Sequence, residues 1–102
     1  MFKHIGMLTL QDEAGDAGRK AIASGLLGLV GLVPGLRSAE VFTDAGLDAT
    51  TADLLFIMTF GDEDAWRAYS SHPAHRALLA DVIGPRLVDK RFLQAAQEQV
   101  SP

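Results

Sequence analysis

Cysteine is absent from the 102 residues. Its absence excludes disulfides, thiolate catalysis and cysteine-ligated zinc or iron–sulfur sites, and it is compatible with the cytoplasmic location expected for the chain. Long apolar runs are missing too. The most membrane-like stretch covers residues 21–36 and is interrupted by Ser24, Pro34 and four glycines. A spanning helix needs about 20 mostly apolar residues, so no membrane partner is expected. No signal peptide is expected either, because Asp12, Glu13 and Asp16 precede that run and the amino-terminal segment reads as a strand.

Positive charge is scarce. Nine Lys and Arg stand against thirteen Asp and Glu, a formal net charge of -4. The densest basic cluster is Lys90-Arg91 with a lone Arg86 before it, and no basic stripe carries interleaved aromatics. Nucleic acid is therefore not an expected partner. Internal repeats and linkers are also lacking, which points to one domain over residues 1–95 with a polar tail over 96–102. With 48% hydrophobic and 22% charged residues, the composition is that of a soluble globular domain. A domain this small commonly hides leftover apolar surface in a second subunit across a two-fold axis.

Residues 3–10 alternate as a strand. His4, Gly6, Leu8 and Leu10 share one face and Ile5, Met7 and Thr9 the other. Residues 19–33 have helical spacing, with Ile22, Leu26, Leu29, Val30 and Val33 on one stripe. Gly25, Gly28 and Gly31 recur within it. They read as a close approach of the helix to a sheet rather than as a phosphate loop, which needs its glycines between strand and helix. Pro34-Gly35 stops the helix. Strands follow over 36–42 and 53–60, separated by a turn-rich connection. Asp62 reads as a helix cap, with Glu63 and Asp64 in the first turn near the positive end of the dipole, not as a cation site. The helix carrying Trp66 and Tyr69 is broken at 70–73. Pro73 opens a second helix running to Ile83, ended by Gly84-Pro85. A last strand covers 86–93, where Arg86, Asp89 and Lys90 read as a solvated or dimer-edge surface, and a polar stretch begins at Gln94.

The order is β-α-β-β-α-β with the second helix split. This is an α+β, ferredoxin-like layout: a four-stranded antiparallel sheet with both helical crossovers on one face. The opposite face still carries Leu, Phe and Met side chains. It needs a cover, most simply the same face of a second copy, which makes the expected partner the chain itself.

The segment Tyr69-Ser70-Ser71-His72-Pro73-Ala74-His75 resembles the stress-responsive dimeric α/β-barrel (Dabb) family. His4 in the first strand, Val33-Pro34-Gly35-Leu36 and Phe60 add to the likeness, which covers about residues 2–93. The resemblance implies ferredoxin-like protomers whose sheets pair into a dimeric α/β barrel, each protomer keeping a cavity between sheet and helices. One characterised type in the family is a plant polyketide cyclase of the olivetolic acid cyclase kind, which closes a linear poly-β-keto thioester by aldol condensation. Its catalytic histidine and tyrosine match His75 and Tyr69, and a further pocket histidine matches His4. The family also includes stress proteins.

Tyr69 and His75 are six residues apart, which on an unbroken helix leaves them about 120° off a common face. The break at 70–73 is what can turn both toward one cavity. Histidine suits a general base because a pKa near 6.5 leaves it neutral at pH 7. Tyr69 would hydrogen-bond the developing oxyanion, and His4 would orient His75 or bind a substrate carbonyl. The substrate expected is an apolar small molecule with carbonyl or phenol groups, in a cavity whose lining or support includes Met58, Trp66, Leu79 and His72. No cofactor and no metal is expected, since a His-x-x-His pair without cysteine is a weak ligand set. The bland alternatives are that His72 and His75 stabilise the helix break and that Tyr69 and Trp66 are packing aromatics. The function expected is thus a cyclase-like enzyme. The alternatives are a small-molecule-binding or stress-response dimer without catalysis, and a cofactor-free monooxygenase.

Overall fold

The structure, a computed structural model, describes residues 1–96. Strand β1 (Phe2–Leu10) leads through a short 3₁₀ turn into helix α1 (Gly15–Gly28), which tightens into a second 3₁₀ turn at Leu29–Gly31. Strands β2 (Leu36–Thr43) and β3 (Leu54–Phe60) follow, then helices α2 (Glu63–Ser70) and α3 (Pro73–Leu78), and finally strand β4 (Leu87–Ala96). The four strands form one antiparallel sheet in the order β2-β3-β1-β4. The ferredoxin-like topology is as expected from the sequence.

The barrel is not. Among the described residues the sheet is open, with β2 and β4 at its two edges. Closing a sheet on itself requires its outermost strands to hydrogen-bond each other, and cylinders that leave room for side chains need about eight strands. Four twisted strands covered by helices on one side satisfy their core without closure.

Alternation along β1 decides what the helices cover. His4, Gly6, Leu8 and Leu10 are buried, and the first three lie level with Met58, Phe56 and Leu54 of β3. Against this face pack Ile22 and Leu26 of α1, with Leu29 and Val33 just beyond the helix, all buried. The helix begins four residues before the expected start at 19 and gives way to a 3₁₀ turn before 33. Of the three periodic glycines only Gly25 sits at a close approach, and its neighbour is Leu78 of α3 rather than the sheet. Gly28 and Gly31 are exposed with open space around them.

The second crossover follows its local signals closely. The Asp62 carboxylate accepts from the Ala65 amide at 2.8 Å, the expected cap of α2. Pro73 occupies the first turn of α3, where its missing N–H costs nothing. Beyond Leu78 the expected continuous helix widens into a π-helical turn at Leu79–Ile83 and ends in a 3₁₀ turn at Gly84–Arg86. There the Gly84 amide bonds the Leu79 carbonyl, and a Cβ at Gly84 would lie 2.6 Å from that oxygen, so only glycine fits. The Arg86 guanidinium, expected at a solvated surface, donates to the Val82 carbonyl at 2.8 Å and holds the end of the turn.

Strand β4 continues past the expected end at Leu93, pairing Gln94 with His4 and Ala96 with Phe2. Gln94 therefore belongs to the sheet and not to a polar tail; the remainder of the expected tail, from 97 onward, lies outside the described residues. The helix-free face carries two apolar rows. In one, Leu93, Ile5 and Ile57 lie side by side across three strands; in the other, Met7, Leu55 and Phe42 do. Met7, Phe42 and Leu93 are 45%, 51% and 59% exposed, so none of the described residues covers this surface. Among the described residues no helix is long and apolar enough to cross a membrane.

Candidate functional site

A cavity of about 310 Å³ lies between the sheet and the helices, walled by side chains of β1, β3, β4, α1 and the α2–α3 region. Its floor begins with a missing side chain. Gly6 of β1 pairs with Phe56 on one side and Phe92 on the other, and the two rings close over it edge to face, 6.0 Å apart. A Cβ on Gly6 would collide with both. The His4 ring packs beside them, 5.2 Å from Phe56 and 5.1 Å from Phe92 between centroids.

The helix break supplies the other wall. Ser71 and His72 interrupt the hydrogen-bond ladder between α2 and α3, and the turn swings His75 back over the end of α2. The rings of Tyr69 and His75 come to 4.1 Å between centroids, while His4 lies 6.1 Å from Tyr69. His4, Tyr69, His75, Trp66 and Leu79 thus share one cavity. His72 does not line it: its Nδ1 accepts from the Ala74 amide at 3.1 Å and caps α3. Met58 is fully buried in the core beneath the site rather than lining it. Trp66 both lines the cavity and packs against Phe2 at 5.3 Å.

Protonation follows from the partners. His75 Nδ1 stands 3.2 Å from the Ser70 carbonyl oxygen. A carbonyl only accepts, so this nitrogen carries the proton and Nε2 keeps its lone pair. Burial lowers the His75 pKa below the ordinary imidazole value, opposed by the Ser70 bond and aided by nearby His72. His75 is a neutral imidazole at pH 7 with one free basic nitrogen. His4 is more deeply buried, and desolvation, with a smaller contribution from His75, pulls its pKa down to about 4. A group that weakly basic is a poor proton acceptor at neutral pH. Burial pushes the Tyr69 phenol upward, so it stays protonated. Among the described residues the Tyr69 hydroxyl meets no protein partner, yet no fully buried side-chain polar atom is left unsatisfied. The hydroxyl therefore opens onto the cavity.

Two polar residues of β4 complete the site. Gln94 Nε2 lies 2.8 Å from His4 Nδ1, and Lys90 stands at the rim with its ammonium 5.4 Å from the Phe92 ring centre. The sequence reading missed Gln94 because it ended the strand at Leu93, and it put Lys90 on a solvated surface. The signal was present in the period of two, since Lys90, Phe92 and Gln94 alternate onto the face of Leu8, Gly6 and His4. Ser70 acts through a backbone carbonyl, which no side-chain pattern reveals. Among the described residues no group of three His, Cys, Asp or Glu side chains converges on a metal site.

Comparison with known proteins fits this geometry. Residues 2–93 match the Dabb family, the stress responsive A/B barrel domain. The chain belongs to the Dabb family. A dimeric ferredoxin-like protein of unknown function from Thermobifida fusca is similar at 31% identity and a TM-score of 0.81, with 94% of this chain and 90% of that one covered. An Arabidopsis thaliana protein superposes with a TM-score of 0.87 at 20% identity over the full length of both chains. A hydroxynitrile lyase from Passiflora edulis superposes with a TM-score of 0.83 at 14% identity, covering 99% of this chain and 96% of that one. At such identities the last two share the fold alone. No curated protein matches the chain in sequence. As a Dabb protein with an apolar cavity and a few convergent polar groups, the chain has a fold capable of binding small molecules.

Proposed function

We propose that this Dabb protein is a cofactor-free enzyme of the polyketide-cyclase type, closing a ring in a short poly-β-keto substrate by aldol condensation. The observation that carries the reading is the Tyr69–His75 pair, a neutral base with a free nitrogen stacked against a protonated phenol in an apolar cavity. His75 Nε2 removes a proton from the methylene between two carbonyls. The electron pair left behind forms the new carbon–carbon bond at a distant carbonyl, whose oxygen becomes an alkoxide. Tyr69 hydrogen-bonds an oxygen of the enolate through which that electron pair passes, in a cavity with a mostly apolar lining. His75 then returns its proton to the alkoxide, so the step balances with no oxidant or reductant. A volume of about 310 Å³ is at the small end of ligand cavities, which favours a short acyl chain with any carrier outside the mouth.

The open apolar face supports a homodimer in which Leu93, Ile5, Ile57, Met7, Leu55 and Phe42 meet the same rows of a second copy. The Thermobifida fusca relative is itself described as dimeric. The test of activity is product formation from a linear poly-β-keto thioester, followed by mass spectrometry. Wild-type protein should cyclise it and a folded His75→Ala variant should not. Equal turnover by that variant removes His75 as the base, and tight binding without conversion by the wild type makes the protein a binder.

A further inference from the structure

Two histidines in one cavity ordinarily compete for the same job, yet here their partners force opposite tautomers. The carbonyl of Ser70 requires a proton on His75 Nδ1. The amide nitrogen of Gln94 only donates, so at 2.8 Å it requires a lone pair on His4 Nδ1 and places the proton of the neutral ring on Nε2. The cavity then offers three neutral functions: a lone pair from His75, a hydroxyl donor from Tyr69 and an N–H donor from His4.

From this we propose that Gln94 is a positioning residue that fixes His4 as a donor. His4 and Tyr69 then take the two oxygens of a 1,3-dicarbonyl ligand while His75 faces the carbon between them. The inference rests on His75 being the base proposed above and names the ligand class that the base serves. When His75 Nε2 takes the proton from that carbon, the electron pair of the broken C–H bond spreads over both oxygens. Each oxygen then gains a stronger hydrogen bond from a donor that was already in place. A monoketone fills only one donor and leaves the other desolvated without a partner, which weakens its binding on the order of tenfold or more.

The test uses the full-length chain labelled with ¹⁵N at histidine, with 2,4-pentanedione and 2-pentanone as probes. Imidazole ¹⁵N shifts at pH 7 should show the proton of His4 on Nε2 and that of His75 on Nδ1. In titrations the diketone should bind about tenfold or more tighter than the monoketone. Gln94→Leu, which only removes the donor, should mix the His4 tautomers and reduce the preference. A wild-type His4 protonated on Nδ1 overturns the proposal, as does a Gln94→Leu variant with mixed His4 tautomers and an unaltered preference. Loss of the base role shows elsewhere: His75→Ala turning over normally with the diketone preference intact removes His75 as the base and leaves the Gln94–His4 donor assignment standing.

Discussion

Tyr69 and His75 lie in different helices, and their rings stack 4.1 Å apart because the chain breaks between them. The same break exposes the Ser70 carbonyl, which accepts the hydrogen bond of His75 Nδ1–H and leaves Nε2 with its lone pair on a residue that lines the cavity. The proposed base and the proposed oxyanion donor are thus brought together by one interruption in the backbone.

Removing only the Tyr69 hydroxyl tests its part. The Tyr69→Phe variant keeps the ring that packs on Phe60, so its melting temperature should stay near that of the wild type. Its kcat should fall by about 10²-fold, the usual loss of an oxyanion donor, with KM little changed. An unaltered kcat rules out a bond from this phenol to the transition state.

Activity should depend on pH through His75. Burial places its pKa below the ordinary imidazole value, so the basic form dominates throughout the neutral range. The rate should be flat around pH 7 and fall on acidification with a midpoint below about 6.5. A midpoint above that value in a kcat/KM profile contradicts a desolvated base.

Stability should carry a separate acid signature from His4. Its pKa is about 4 in the folded protein against about 6.5 in the unfolded chain. Between those values the unfolded state holds more protons, so folding stability rises with pH. The contribution is complete above about pH 6.5 and is lost as pH falls toward 4, amounting to roughly 3 kcal/mol in full. Urea melts at pH 7 and pH 5 should therefore differ less for His4→Phe than for the wild type. Equal differences in the two proteins assign the acid sensitivity to other groups.

The π-helical turn should not tolerate a side chain at Gly84. A methyl there meets the Leu79 carbonyl oxygen at 2.6 Å, and backbone cannot swing aside as a side chain can. Gly84→Ala should lower stability by about 1–3 kcal/mol and weaken ligand binding, because Leu79 and Ile83 both line the cavity. A variant as stable as the wild type shows that the turn readily relaxes to an ordinary helix.

The open sheet face is best probed at Phe42, which is on edge strand β2 and 51% exposed. Phe42→Glu puts a charge into the apolar row without disturbing the helix side. Light scattering should give a dimer for the wild type and a monomer for the variant, with unchanged secondary structure by circular dichroism. A monomeric wild type at micromolar concentration refutes the face as an interface.

Local chemistry made much of this protein readable before any coordinates. The alternation of His4, Gly6, Leu8 and Leu10, the Asp62 cap, Pro73 in a first helical turn and the stop at Pro34-Gly35 each depend on neighbours a few residues away. The element order followed from them, while the pairing of Tyr69 with His75 was what the resemblance to the Dabb family implied. Long-range placement decided the rest. The sheet stayed open because strand closure is a property of the whole layer, not of any strand's pattern. Gln94 joined the site because register with β1 carries β4 three residues past Leu93, and its partner His4 is 90 positions away in the chain. His72, directly before Pro73, was legible as a cap from its neighbours, and its ring does accept from the Ala74 amide. The turn geometry is what brought the His75 ring to the Ser70 carbonyl and the cavity.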